Sequence, residues 1–283
     1  IRRPPRSTPF PTRRSSDLLY LGIIMASCGS SESESEAQKL LNQAQAALDA
    51  KDTSLATALL DSIDKAYTSE TEVRKSALKM RSEIIECETL KEIVSADSLL
   101  AYYADLHKQM TEKMKLINDP QLVEPYYVPK SAFKADFVNT TGLQARVDEI
   151  GQFYMVSSVR GSNLKHSSVT ITVDGESATT AVIPYDGEAN YRVGGSELVT
   201  YMTAQCDTLG KFASAHRSQM GKLTFNGERK QTIQLSPAQI TAIADAWEFS
   251  QSIVQSRELT VQREKLDKKL QIARDQIARQ TEE

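Results

Sequence analysis

Ser168-Val169-Thr170-Ile171-Thr172-Val173-Asp174-Gly175-Glu176-Ser177-Ala178 is the stretch on which the reading of the fold turns. Valine and isoleucine alternate there with serine and threonine at a period of two, the pattern of a strand with one buried face. Asp174-Gly175 suits a type I′ turn, in which both central residues take positive φ, so the chain is predicted to return as a second strand from Ala178 to Ile183. Asp186-Gly187 and Asn226-Gly227 supply two further turn signals. Leu223 and Phe225 lead into the latter, Ile233 and Leu235 follow it, and Leu143 to Val147 and Phe153 to Val159 read as earlier strands. Five or six strands in residues 120–235 are enough for an all-β sandwich or barrel.

On both flanks the period changes. Leu99, Tyr103, Leu106, Met110, Met114 and Ile117 recur at three and four, which predicts a long helix over 89–119 stopped by Asn118-Asp119-Pro120. Met110 and Met114 read as core filler within it. On the far side Ser236, Pro237 and Gln239 have the cap, first-turn and capping-box chemistry of a helix start, and a long helix is expected over 236–283. Ile240, Ile243, Trp247 and Val254 form its first stripe, with Trp247 expected to anchor it to the β domain. Leu259, Leu266, Leu270, Ala273 and Ile277 continue it like a coiled-coil seam. A strip this long has to be covered. The expected solution is an antiparallel pairing with the 89–119 helix that leaves the β domain as an insertion, and a parallel homodimer through 259–277 is the competing one. The expected class is therefore α+β.

Nearer the N-terminus, Leu40, Leu41, Ala44, Ala47 and Leu48 mark one helix. Leu55, Ala56, Leu59, Leu60, Ile63 and Tyr67 mark a second, capped by Thr53 or Ser54, and Val73, Ala77, Met80 and Ile84 a third. Residues 37–88 are expected to form a helical hairpin. With Asp52 in the turn, Ala56 at a close-packing position and Leu59-Leu60 with Ile63 on the packing side, this run resembles a tetratricopeptide unit. It departs from that family by lacking its tryptophan and glycine, by having Thr68 near the usual proline, and by falling short of the roughly three repeats a solenoid needs.

The apolar run Leu18 to Ala26 is too short to span a bilayer as a helix. It ends in Met25-Ala26-Ser27-Cys28 and is followed by Gly29-Ser30-Ser31-Glu32-Ser33-Glu34-Ser35-Glu36. This arrangement resembles a Gram-negative bacterial lipoprotein signal, although methionine stands where leucine is usual. The resemblance implies an h-region and cleavage site over 19–27, cleavage after Ser27 and lipidation of Cys28. It further implies a flexible acidic tether over 28–36 and attachment to the membrane through acyl chains, each buried methylene contributing about 0.8 kcal/mol. Glycine after the cysteine suggests the outer membrane, with periplasmic and surface faces both open. Residues 1–18, rich in proline and arginine, resemble a translated sequencing-adapter artefact and are set outside the fold.

The chain carries 34 basic and 37 acidic side chains, and without residues 1–18 the balance becomes 29 against 36. Having no Lys/Arg-rich block beyond those residues, the chain is not expected to bind nucleic acid. Once Cys28 is modified only Cys87 and Cys206 are left, and two unpaired thiols are slightly favoured over a disulfide.

No catalytic, cofactor or metal motif stands out. Histidine is limited to His107, His166 and His216. Cys206, Asp207 and His216, with Ser214 and Ser218 beside the latter, are the nearest approach to a Cys/His nucleophilic site, a third-ranked hydrolase reading. Asp186-Gly187-Glu188-Ala189-Asn190 offers three oxygen donors but lacks the rest of a calcium loop and reads as a turn. Asp148-Glu149, adjacent in sequence, should point apart rather than form a carboxylate pair. Tyr126, Tyr127, Tyr185, Tyr191 and Tyr201 are the candidate aromatics of a ligand face, such as a glycan-stacking platform. The reading that follows is a non-enzymatic envelope lipoprotein presenting a β domain on a helical support to a protein partner. The alternative is a glycan-binding or glycan-processing accessory protein.

Overall fold

The computed structural model describes residues 30–118 and 124–282, in two compact units divided between Arg81 and Ser82. Ser27, Cys28 and the apolar run before them lie outside the described residues. The first unit holds helices α1 (Ser30–Asp49) and α2 (Thr53–Ala66) and the opening turns of α3 (Thr71–Lys113). Ala37, Leu41, Ala44 and Ala47 of α1, Ala56, Leu60 and Ile63 of α2, and Val73, Ala77 and Met80 of α3 are its buried residues. These fall on the expected stripes, except that Leu55, expected on the packing face of α2, is 50 % exposed. The cap differs: the Asp52 carboxylate, not Thr53 or Ser54, accepts from the Leu55 N–H at 3.0 Å.

The expected flexible tether is also corrected. Helix α1 begins at Ser30, Ser33 Oγ donates to Glu70 at 2.6 Å, and the Tyr67 hydroxyl donates to Glu36 at 3.0 Å. Glutamates in the first turns of a helix favour its positive end, so a serine-glutamate run that reads as a linker continues into the following helix.

Helix α3 runs through the expected break near residues 88–89, because no proline or glycine interrupts Thr71 to Lys113. It then stops earlier than its apolar period suggests. Met114–Ile117 is strand β1, paired antiparallel with β2 (Tyr126–Pro129), an instance of cross-strand pairing overriding local periodicity. Helix α5 (Pro237–Glu282) starts at the expected cap, with Ser236 and Gln239 bonded to each other, and returns antiparallel to α3. Arg263 meets Asp97, Lys269 meets Glu92 and Arg274 meets Glu86, so numbers rise on one helix as they fall on the other. Leu266 and Leu270 bury against Ile93 and Ala96. Leu266 and Leu270 of the expected 259–277 seam are thus covered within the chain.

The β domain is inserted between these helices. The remaining strands are β3 (Gly142–Asp148), β4 (Phe153–Arg160), β5 (Ser168–Val173), β6 (Glu176–Thr179), β7 (Asn190–Val193), β8 (Ser196–Tyr201), β9 (Gly221–Asn226) and β10 (Gln231–Leu235). Two sheets result, ordered β1-β2-β3-β4-β8-β7 and β10-β9-β5-β6, neither closed into a barrel. The β5–β6 hairpin has the anticipated turn, with φ of 48° at Asp174 and 87° at Gly175, although β6 ends at Thr179 rather than Ile183. Phe153, Met155 and Val159 of the first sheet share one core with Val169, Ile171, Leu223 and Phe225 of the second.

One element inside the β domain escaped the sequence reading: helix α4 (Thr203–Ala215). It docks on α5, where a Cβ on Gly210 would stand 2.2 Å from Trp247 Cδ1, and the Trp247 indole donates to Asp207 at 2.8 Å. Trp247 does anchor the long helix, and glycine is what permits so close an approach.

Candidate functional site

Alternation along β4 turns Phe153, Met155, Ser157 and Val159 toward the core, so one hydroxyl enters an otherwise apolar row. On β8, Glu197 pairs with Val159 and also faces inward. The segment that crosses from the first sheet to the second carries His166, after Lys165 in the left-handed region at φ 51°. Ser157, His166 and Glu197 are 0 %, 0 % and 2 % exposed.

These three side chains form a line. Glu197 accepts from the Lys165 N–H at 2.9 Å, and from the His166 N–H and His166 Nδ1 at 3.0 Å each, with Arg192 at 3.6 Å. Because the carboxylate only accepts, Nδ1 carries the hydrogen, and Nε2 is left to accept from the Ser157 hydroxyl at 2.8 Å. Burial alone would raise the Glu197 pKa, but the donors from His166, Lys165 and Arg192 outweigh it and hold the carboxyl below its usual range. Burial also lowers the His166 pKa against the opposing pull of Glu197, so the ring is held neutral.

The network reaches both sheets. Asn190 Nδ2 donates to the carbonyls of His166 at 3.1 Å and Ile183 at 2.7 Å. The Tyr201 hydroxyl lies 3.4 Å from Ser157 Oγ, and its pKa is driven up mainly by burial. Thr180 Oγ1 accepts from the Val169 N–H at 3.1 Å. At Gly227 a Cβ would come within 2.4 Å of the Leu164 carbonyl oxygen, so the β9–β10 turn presses directly on the crossing segment.

Acid, imidazole and hydroxyl in this order are the parts of an acyl-transfer triad. Such a triad also needs a route for the substrate carbonyl and free donors for the oxyanion. Here the hydroxyl is wholly buried, and β3 and β8 pair with β4 on both sides of Ser157. In this conformation the line acts as a buried tie that satisfies the polar groups of the sheet crossing.

The residues singled out from the sequence are dispersed. Cys206 and His216 sit ten positions apart on one helix, about 15 Å along its axis, so they do not meet. The Cys206 thiol donates to the Tyr201 carbonyl at 3.2 Å, and burial drives its pKa up to about 12, unlike an activated nucleophile. His216 faces Glu176 at 3.3 Å, and Ser214 donates to Glu248. Ser218 lies 3.4 Å from Thr241 Oγ1. His107 bonds Ser252 at 3.2 Å and stacks on Phe249. Cys87 and Cys206 are free thiols, the former half-buried. The Asp186 carboxylate accepts from the Glu188 and Asn190 N–H groups, as a turn residue does, and Asp148 accepts from those of Ile150 and Gln152. Among the described residues no cluster of three His, Cys, Asp or Glu side chains is placed to hold a metal ion.

The five tyrosines do not share a face, which corrects the expected aromatic platform. Tyr127 packs inward on Phe249 and Tyr201 is fully buried. Tyr191 packs against the small apolar cluster of Phe137, Val156 and Leu198. Tyr185 is exposed, with Arg192 over its ring. Tyr126 lies beside the Tyr154 ring, with Arg146 over it at 4.4 Å. Strand alternation sends Tyr126 and Tyr127 to opposite sides, so five tyrosines close in sequence were no measure of a common surface.

Comparison with known proteins finds no family model, no characterised protein and no solved structure that matches this chain.

Proposed function

We propose that the protein is a non-enzymatic, lipid-anchored component of a bacterial cell envelope that presents its β domain on a helical stalk to a protein partner. The observation that supports this reading is the insertion. At about 1.5 Å per residue, the part of α3 from Ser82 to Asp105, before Leu106 and Met110 enter the core of the β domain, extends about 36 Å, and α5 returns along it. The β domain stands at one end of that rod. A rod of this kind serves to hold a domain at a distance, and a lipidated Cys28 would supply the fixed point; no helix among the described residues is itself long and apolar enough to cross a membrane.

Expression with Cys28→Ala and fractionation of the cells tests the anchor. The expected result is loss of membrane retention, and unchanged retention would overturn it. The hydrolase reading has one observation in its favour, the Ser157–His166–Glu197 line, and the burial of Ser157 against it. Incubation with a fluorophosphonate is expected to leave Ser157 unlabelled; labelling that disappears in Ser157→Ala would displace the non-enzymatic reading.

A further inference from the structure

Away from the buried line, the segment Pro129–Phe137, the start of β3 and the first turns of α5 enclose a cleft of about 250 Å³. Its polarity is graded. Ala145, Ala242 and Ile243 form a buried apolar floor, the rings of Phe133 and Phe137 form walls, and Ser131 and Lys134 stand exposed at the mouth. The lining contains no carboxylate, although acidic side chains outnumber basic ones in the chain. A second cation, Lys115, is held 3.6 Å over the Phe133 ring. Gln239 brings the first turn of α5 to the lining, and the positive end of a long helix adds to the same sign of potential.

An apolar floor favours hydrocarbon, and a cavity of about 150 Å³ is already enough to hold benzene. A lysine and a hydroxyl at the mouth favour a negative charge there and disfavour a cation. We propose that this cleft is a binding site for a small amphipathic monocarboxylate, the hydrocarbon tail lying against Ala145, Ala242 and Ile243 and the carboxylate at Ser131 and Lys134. The site does not depend on lipidation of Cys28.

Titration of the full chain with sodium octanoate, followed by calorimetry, tests it against octanol and octylamine as neutral and cationic counterparts. Saturable binding of octanoate is expected, weaker by about tenfold or more for octanol, for octylamine and for Lys134→Glu. Ala242→Leu fills the floor and Ser131→Phe blocks the mouth from an exposed position, so each is expected to abolish saturation. The second variant decides the matter if the first fails to fold. Absence of saturable binding to the wild-type chain, equal binding of octanol, or full binding by Ser131→Phe would overturn the proposal.

Discussion

The core of the β domain and the seam of the stalk are held by opposite means. In the β domain a wide apolar core surrounds a carboxylate, an imidazole and two hydroxyls whose hydrogen bonds close on one another. In the stalk, Ile93, Ala96, Leu266 and Leu270 form a narrow seam, and the charges, among them Arg274 with Glu86 and Lys269 with Glu92, stand at its solvent edge. Buried polar groups cost several kcal/mol when a partner is removed, whereas exposed pairs are worth little. The same residue types therefore specify a unique packing in one region and assist register in the other.

The largest effect expected is that of Glu197→Ala. It strips the partner from two backbone N–H groups and from His166 Nδ1, and a loss of about 3–5 kcal/mol in denaturant unfolding would follow; a loss near zero would mean the line is not a tie at all. Next comes Leu266→Ala, at about 2 kcal/mol, the low end for a buried leucine because the seam is thin. Hydrogen exchange should confine that loss to α3 and α5, and equal loss of protection in β4 and β8 would show that the two regions unfold as one.

Acidification separates the regions further. The folded state disfavours protonation of His166, so the stabilisation from its neutral form is present above pH 6.5 and declines as pH falls from there toward its lowered folded pKa. Glu197, also lowered, adds a second decline as pH drops below 4.5. Unfolding midpoints measured from pH 8 downward should fall first near 6.5, and His166→Asn should remove that first step. Arg274→Ala has the smallest effect, about 0.2–1 kcal/mol, and should lose even that in high salt; a salt-independent loss would mean that the stalk relies on its charges more than its exposure implies.

What could be read in advance follows the range of the interactions. The Asp174-Gly175 turn, the Ser236–Gln239 cap and the stripes of α1, α2 and α5 depend on neighbours a few residues away, and they are where the sequence puts them but for Leu55, which α2 turns to solvent. The antiparallel return of α5 was legible because so long an apolar strip needs cover. Helix α4 was missed because Cys206, Leu209, Gly210 and Ala213 make a faint stripe, and its docking depends on the absence of a side chain at Gly210. Strand β1 was missed because Met114 and Ile117 continue the helical spacing of α3, and only pairing with β2 decides otherwise. Of the buried line, the accessible signal was Ser157 at the core parity of β4. His166 and Glu197 come from a crossing segment and another strand, so their convergence has no local pattern.

Insertion has a geometric corollary. Lys113 at the end of α3 reaches Asp245, two turns into α5, so the polypeptide enters and leaves the β domain by adjacent doors. Both connections to that domain, α3 and α5, therefore leave it side by side. An exchange of the domain for another with neighbouring termini would leave every pairing between Glu86 and Arg274 and between Asp97 and Arg263 in register.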